Sequence, residues 1–174
     1  RAEFVIPDSN ICYLDGNSLG RLPHKTIKAI NDYLVNGWGA KVVEGWNEWI
    51  EEPFTTGDLI GRATLGSAPG HVIATDTTSV NFYQLVGAAL TARPGRKTII
   101  IDEANFPTDR YILQGYAKER GLNLITINNE DPVISKHELI TPETLEKYLS
   151  DDVALVSFEV IQYRSGARNN VKAI

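Results

Sequence analysis

The last two thirds of the chain alternate short apolar runs with longer segments of helical periodicity. Strands are predicted for four runs rich in apolar and β-branched residues: 71–76, 97–101, 122–128 and 153–161. Helices are predicted between and after them, over residues 79–92, 109–121 and 141–150. Strands that are apolar along their whole length must be covered on both faces. The pattern therefore predicts an α/β fold with a mainly parallel sheet and helices on both faces.

The first third of the chain has a different pattern. Residues 4–23 are predicted to be extended, with a glycine-containing turn at 15–20. Helical spacing of apolar residues predicts three helices. The first lies near residues 24–35, the second lies in the segment 44–54 and ends before Pro53, and the third covers residues 58–68. We therefore divide the chain into an N-terminal arm with helices, residues 1–60, and a sheet-containing part, residues 61–174.

Composition and charge exclude several classes of partner. The chain has 174 residues, a net charge of −5 and 43% hydrophobic residues, as expected for a folded protein that does not bind nucleic acid. No apolar run approaches the roughly 20 residues of a membrane span, and no signal peptide is visible. The single cysteine, Cys12, excludes an internal disulfide, and its apolar neighbours predict a small buried side chain. Because the first residue is Arg1, we expect a part of a longer polypeptide.

Polar residues follow the first predicted strand in the segment ATDTTSVN, residues 74–81. Thr77, Thr78 and Ser79 lie where a helix begins, and the unpaired N–H groups and dipole of a helix N-terminus favour an anion. The alternative is an ordinary helix cap, which Asp, Thr and Ser commonly provide. A cap accounts for one hydroxyl group but not for three, so a phosphate site stands as the alternative to a plain cap.

A second polar strand end is the segment EANFPTDRY, residues 103–111. Phe106 lies in the loop after the strand, where a planar ligand can stack on its ring. Asp109 is predicted in the first turn of the next helix, where the dipole favours a carboxylate. Because the carboxyl ends of parallel strands bind ligands, two such ends predict a ligand with a phosphate and an aromatic ring.

The same segment also predicts how this helix begins. Pro107 fits the first helical turn, and either Asn105 or Thr108 is expected to cap it. A purely structural alternative for Phe106 is a hydrophobic staple on one of two residues in the next turn, Tyr111 or Ile112.

Other candidate sites carry weaker signals. The three histidines His24, His71 and His137 lack metal-ligand spacing, so no metal site is predicted. Nucleotide-binding and hydrolase motifs such as G-x-G-x-x-G and G-x-S-x-G are absent. Trp46 follows a glycine and is a candidate pocket residue, whereas Asn17 and Ser18 are either turn residues or substrate contacts.

Five motifs in this order and spacing resemble kynureninase: YLDGNSLG, EGWNEWI, DTTSVN, NFPTDRY and QYRSG, between Tyr13 and Gly166. The resemblance implies a pyridoxal-5′-phosphate enzyme of the aspartate-aminotransferase fold type I. It implies hydrolysis of L-kynurenine or 3-hydroxykynurenine to L-alanine and anthranilate or 3-hydroxyanthranilate. This reaction belongs to tryptophan catabolism and, in some organisms, to NAD biosynthesis. A cytoplasmic homodimer is implied as well.

The resemblance also assigns residue roles. Thr78 and Ser79 would hold the cofactor phosphate, and Phe106 would stack on the pyridine ring. The cofactor would also be lined by the three residues that follow Phe106, namely Pro107, Thr108 and Asp109. Three residues of the N-terminal part would lie near the substrate: Asn17, Ser18 and Trp46.

The chain departs from the kynureninase pattern in what it lacks. The lysine that forms the Schiff base and the Asp that pairs with the pyridinium nitrogen both follow the position of Ile174 in the family. The chain is therefore expected to hold an incomplete cofactor site, no catalytic residue and no activity by itself. Val160 and Gln162 also stand where more polar residues are expected. The alternatives are another fold type I enzyme, such as a cysteine desulfurase or an aminotransferase, or a non-catalytic α/β binding module.

Overall fold

In the computed structural model, residues 1–7, 10–128 and 139–174 are described, and they divide into two units, Arg1–Ala74 and Thr75–Ile174. His137 lies outside the described residues. The division predicted between residues 60 and 61 stays a prediction.

The first unit is mainly helical, as predicted. It contains three α-helices, α1 (His24–Asp32), α2 (Trp46–Trp49) and α3 (Glu52–Ile60). Turns of other helical types extend them: π-helical Tyr33–Gly39 and Gly61–Leu65, and 3₁₀-helical Val42–Gly45. The third helix begins at Glu52, earlier than predicted, because Pro53 occupies its first turn, where a missing N–H costs nothing.

Two predictions for the first unit are wrong. Cys12 is exposed, because the surrounding extended segment, residues 10–20, has no core to enter. Residues 71–76 form no strand with any described part of the chain. Instead, Ala74 N donates to Pro53 O (2.9 Å), and a Cβ on Gly57 would lie 2.1 Å from Val72 O. Residues 72–74 are thus held against α3 rather than against a neighbouring strand.

The second unit contains the predicted parallel sheet. Its strands are β1 (Thr98–Asp102), β2 (Asn123–Ile127) and β3 (Val153–Ser157), in the order β2-β1-β3. β1 is central, and Ile100 lies opposite Ile125 on one side and Val156 on the other. Every residue of β1 is buried, which agrees with the three isoleucines at its centre, Ile99–Ile101. β3 ends four residues earlier than predicted.

Helices cover both faces of this sheet, as predicted. They are α4 (Thr78–Thr91), α5 (Pro107–Arg120) and α6 (Pro142–Glu146). One face packs against α4 and α5 through Val86, Leu90, Ile99, Ile101, Leu113 and Tyr116. The other face packs near α6 through Ile100, Ile127, Ile140, Leu145 and Val153.

α4 and α5 run in the same direction and both begin at the carboxyl edge of the sheet. Residues 92–97 connect the end of α4 to the start of β1, which lies at the amino edge of the sheet. The start of α4 therefore lies toward the carboxyl edge. α5 begins five residues after the end of β1. The two helices are joined where Tyr116 Oη donates to Tyr83 O (2.9 Å) and their rings stack at 4.7 Å.

No helix among the described residues is long and apolar enough to cross a membrane.

Candidate functional site

The N-terminus of α4 has the donors that an anion requires. Thr77 caps the helix, and its Oγ1 accepts from Val80 N at 3.3 Å. Thr78 and Ser79 are the first two helical residues, and within the described part of the chain neither hydroxyl group has a hydrogen-bond partner. Asp76 turns the chain into the helix with a left-handed φ of 49°. Capping therefore uses one of the three hydroxyl groups and leaves two available for a ligand.

The N-terminus of α5 follows the prediction for Pro107 but not for the cap. Pro107 is in the first turn, and Phe106 is the N-cap residue without a side-chain cap. The caps predicted at Asn105 or Thr108 are wrong, because Asn105 Nδ2 instead donates to Asp102 Oδ2 (3.0 Å) and Thr108 lies inside the helix. Asp109 lies in the first turn as predicted, and burial raises the pKa of its carboxyl group.

Phe106 is 45% exposed. Its aromatic neighbour is Tyr163, which it meets edge to face with 5.1 Å between ring centroids. Tyr163 lies beyond the end of β3, in the loop that carries the QYRSG motif. The loops after β1 and β3 therefore meet at these two rings, and part of the Phe106 ring stays accessible to a ligand.

Glu159 is a residue of this site that the sequence reasoning missed. Its Oε1 accepts from Phe106 N (2.8 Å), and its Oε2 accepts from Tyr163 N (3.3 Å). Burial raises the pKa of this carboxyl group, and the two backbone N–H groups oppose that rise. The signal available in the sequence was a single acidic residue within the apolar run predicted as a strand over residues 153–161.

A buried polar cluster lies behind the Phe106 loop. Asp102, Asn105 and Gln162 are each at most 2% exposed. Burial raises the pKa of Asp102, and the Asn105 amide partly opposes this effect. Among the described residues, Asp102 Oδ1, Asn105 Oδ1 and both polar side-chain atoms of Gln162 have no hydrogen-bond partner. Asp102 and Asn105 also line a cavity of about 290 Å³.

The two departures from the kynureninase pattern differ in their surroundings. Gln162 is fully buried, while Val160 is 52% exposed. Gln162 is held by its backbone, since its N–H donates to Ala167 O at 2.8 Å and its carbonyl accepts from Gly166 N at 2.9 Å.

The predicted substrate residues lie in the first unit. Ser18 Oγ donates to Asp15 Oδ1 (2.8 Å), so its hydroxyl group stabilises the glycine turn. Asn17 is exposed in the same turn. Trp46 is 60% exposed, with its ring centroid 6.1 Å from that of Trp49. The described contacts do not bring Ser18 and Trp46 together.

The second unit fits one side of a phosphate-bearing planar group. The unpartnered hydroxyl groups of Thr78 and Ser79 suit a phosphate, and the half-exposed ring of Phe106 suits an aromatic ring. Both features lie at the helix N-termini on the carboxyl edge of the same sheet, which is where ligands bind in this class of fold. These residues therefore fit pyridoxal phosphate.

Comparison with known proteins finds kynureninases among the relatives of the chain, while no family model matches it. The chain is 30% identical to a kynureninase of Pseudomonas fluorescens and 31% identical to one of Deinococcus radiodurans, with 100% of the chain covered in both alignments. It is 34% identical to a kynureninase of Geobacillus thermodenitrificans over 95% of its length. The chain spans about 40% of the length of these relatives. The resemblance to the N-terminal part of kynureninase is thus confirmed.

Proposed function

We propose that this chain is the N-terminal part of a pyridoxal-phosphate-dependent kynureninase. The complete protein would hydrolyse L-kynurenine or 3-hydroxykynurenine to L-alanine and anthranilate or 3-hydroxyanthranilate. The observation that carries the proposal is 30–34% identity to kynureninases over 95–100% of the chain. We further propose that the protein is a cytoplasmic homodimer.

The second unit would bind the cofactor on one side. When bound, pyridoxal phosphate supplies an electron sink for the substrate carbon that loses a proton. Thr78 and Ser79 would donate to the phosphate from their hydroxyl and backbone N–H groups, and the dipole of α4 would add to this attraction. Phe106 would stack on the pyridine ring and so fix its plane.

The first turn of α5 would complete this side of the cofactor site. Pro107 has a restricted φ and no N–H, so it begins the helix without leaving a donor unpaired and helps to fix the loop that carries Phe106. Thr108 and Asp109 follow on the same turn and would line the cofactor with a hydroxyl group and a carboxyl group. Binding and orientation are thus the contributions expected of this segment.

The first unit would contribute substrate contacts. The exposed indole of Trp46 suits the aromatic end of kynurenine, and the exposed amide of Asn17 suits a polar group. Ser18 would act mainly by shaping the turn, since its hydroxyl group already donates to Asp15. The Schiff-base lysine would lie outside these 174 residues, so the chain alone is expected to be inactive.

The test is an assay on the natural polypeptide that contains this chain, saturated with pyridoxal phosphate. L-kynurenine and 3-hydroxykynurenine are supplied separately, and the aromatic amine and L-alanine are both quantified. The proposal predicts equimolar release of the two products from at least one substrate, and no turnover by the 174-residue chain alone. It is overturned if neither substrate is cleaved, or if L-cysteine is the substrate that yields L-alanine.

A further inference from the structure

The carboxylate of Glu159 joins the two loops whose rings meet at the proposed cofactor site. One oxygen accepts from Phe106 N (2.8 Å) and the other from Tyr163 N (3.3 Å). The side chains of the same two residues form the edge-to-face pair at 5.1 Å. One carboxylate therefore bridges the backbones of the two residues whose rings are in contact.

The Phe106 N–H group needs a partner from outside its own helix. Phe106 is the N-cap of α5, and its carbonyl already accepts from Asp109 N (3.0 Å) and Arg110 N (3.2 Å). Its N–H precedes the helix and has no acceptor there. The next residue, Pro107, has no N–H group, so it cannot replace Phe106 as the donor to the loop after β3. The bond to Glu159 is thus what holds the start of the helix to the loop after β3.

Glu159 is itself held from the other side. Its carbonyl accepts from Asn169 Nδ2 (2.6 Å), and Asn169 Oδ1 accepts from Ile140 N (2.9 Å). Asn169 is 2% exposed and also donates from its backbone to Val160 O (2.9 Å). The bonds from Ile140 through Asn169 therefore fix the backbone of Glu159, from which the carboxylate reaches Phe106.

We propose that Glu159 is a positioning residue that holds the Phe106 ring in the orientation required to stack on the cofactor. This inference rests on the proposed function, because it assumes that Phe106 contacts pyridoxal phosphate. Glu159 would not contact the cofactor and would act through the Phe106 backbone. Its chemistry suits this role, since a carboxylate accepts from two N–H groups at once and such charge-assisted bonds are stronger than neutral ones.

The test uses the natural polypeptide that contains this chain, and it measures the dissociation constant of pyridoxal phosphate. Glu159→Ala removes both acceptors and is expected to weaken binding up to about fivefold, because its effect cannot exceed the loss of the Phe106 stacking that it supports. Glu159→Gln keeps an oxygen acceptor for Phe106 N–H but places its NH2 group against Tyr163 N–H, so that only the second bond is lost. Its effect on binding should therefore be smaller than that of Glu159→Ala. Glu103→Gln is the matched control, because it removes a charge from an exposed residue of the adjacent loop.

A double substitution separates positioning from a general loss of structure. In a Phe106→Leu background the ring is absent, so Glu159→Ala should weaken binding no further. Equal effects of Glu159→Ala in both backgrounds would overturn the inference, as would unchanged binding in Glu159→Ala. If Phe106→Leu alone leaves binding unchanged, the assumed stacking fails and the proposed cofactor contact fails with it.

Amide hydrogen exchange provides a readout that does not depend on the cofactor. Glu159→Gln should lose protection mainly at Tyr163 N–H, and Glu159→Ala at both Phe106 and Tyr163. Glu103→Gln should leave both amides unchanged. Unaltered protection of the Phe106 amide in Glu159→Ala would show that the proposed bond does not hold this loop.

Discussion

The backbone N–H of Phe106 donates a 2.8 Å hydrogen bond to Oε1 of Glu159, which lies 53 positions later in the chain. Phe106 follows β1 and Glu159 follows β3, and these two strands are neighbours in the sheet. The parallel sheet therefore brings together two loops that are remote in sequence. Their meeting point is the position where Phe106 presents its half-exposed ring.

The phosphate contacts predict a loss of affinity at the start of α4. Thr78→Ala and Ser79→Ala each remove one hydroxyl donor to a charged group and should each weaken pyridoxal phosphate binding about tenfold. Thr91→Ala is the control, because it changes the same residue type at the other end of α4. Equilibrium titration of the natural polypeptide with the cofactor measures these effects. Wild-type affinity in both variants would contradict the phosphate assignment.

The ring of Phe106 predicts a separate loss. Phe106→Ala removes the stacking face and should weaken cofactor binding roughly fivefold or more, in line with the contribution of an aromatic pair. Tyr111→Ala is a matched control, since Tyr111 is an exposed aromatic residue in the next turn of α5. The same titration measures both variants. Equal losses in the two would argue against a specific role for Phe106.

Asp102 predicts how stability depends on pH. Burial raises its pKa above the ordinary value of 3.8, so the folded chain binds this proton more tightly than the unfolded chain does. The stabilisation is fully present below that value and is lost as the pH rises through the raised pKa. Asp102→Asn removes this loss and retains an acceptor for Asn105. The free energy of unfolding of Asp102→Asn, relative to that of wild type, should therefore increase as the pH rises from 3.8 through the raised pKa of Asp102.

Urea unfolding at several pH values measures this difference. Asp151→Asn is the control at an exposed carboxyl group. A difference between Asp102→Asn and wild type that stays constant with pH would contradict the effect of burial on Asp102.

The core of the second unit predicts a large loss of stability on truncation. Leu113 is 0% exposed and packs between α5 and the sheet, so Leu113→Ala should lower the free energy of unfolding by about 2–5 kcal/mol. Gln114→Ala, at the adjacent exposed position, should change it by less than about 0.5 kcal/mol. Urea unfolding gives both values. A loss below about 1 kcal/mol for Leu113→Ala would contradict the packing of α5 on the sheet.

The sequence predicted the parts of the fold that depend on local pattern. The apolar runs that became β1 and β2, the helical spacing of α4 and α5, and the Thr141-Pro142 start of α6 are all signals within a few residues. Thr141 caps α6, since its Oγ1 accepts from Thr144 N at 3.2 Å. Residues 71–76 show the limit of such signals. An apolar run becomes a strand only where another strand pairs with it.

The candidate site was predictable in part for the same reason. Helix-start chemistry and the motif resemblance indicated Thr78, Ser79 and Phe106 without any tertiary information. Glu159 was not predictable, because its role depends on the register that brings the loop after β3 beside the loop after β1. The cap of α5 was missed because Asn105 bonds to the buried Asp102 instead of to its own helix.

The most direct test of the account is a crystal structure of the natural polypeptide with pyridoxal phosphate bound. The account predicts phosphate oxygens within hydrogen-bond distance of the Thr78 and Ser79 hydroxyl groups. It also predicts a pyridine ring stacked on Phe106, and the Phe106 N–H still bonded to Glu159. A cofactor phosphate bound away from the start of α4, with Phe106 out of contact with the pyridine ring, would contradict it.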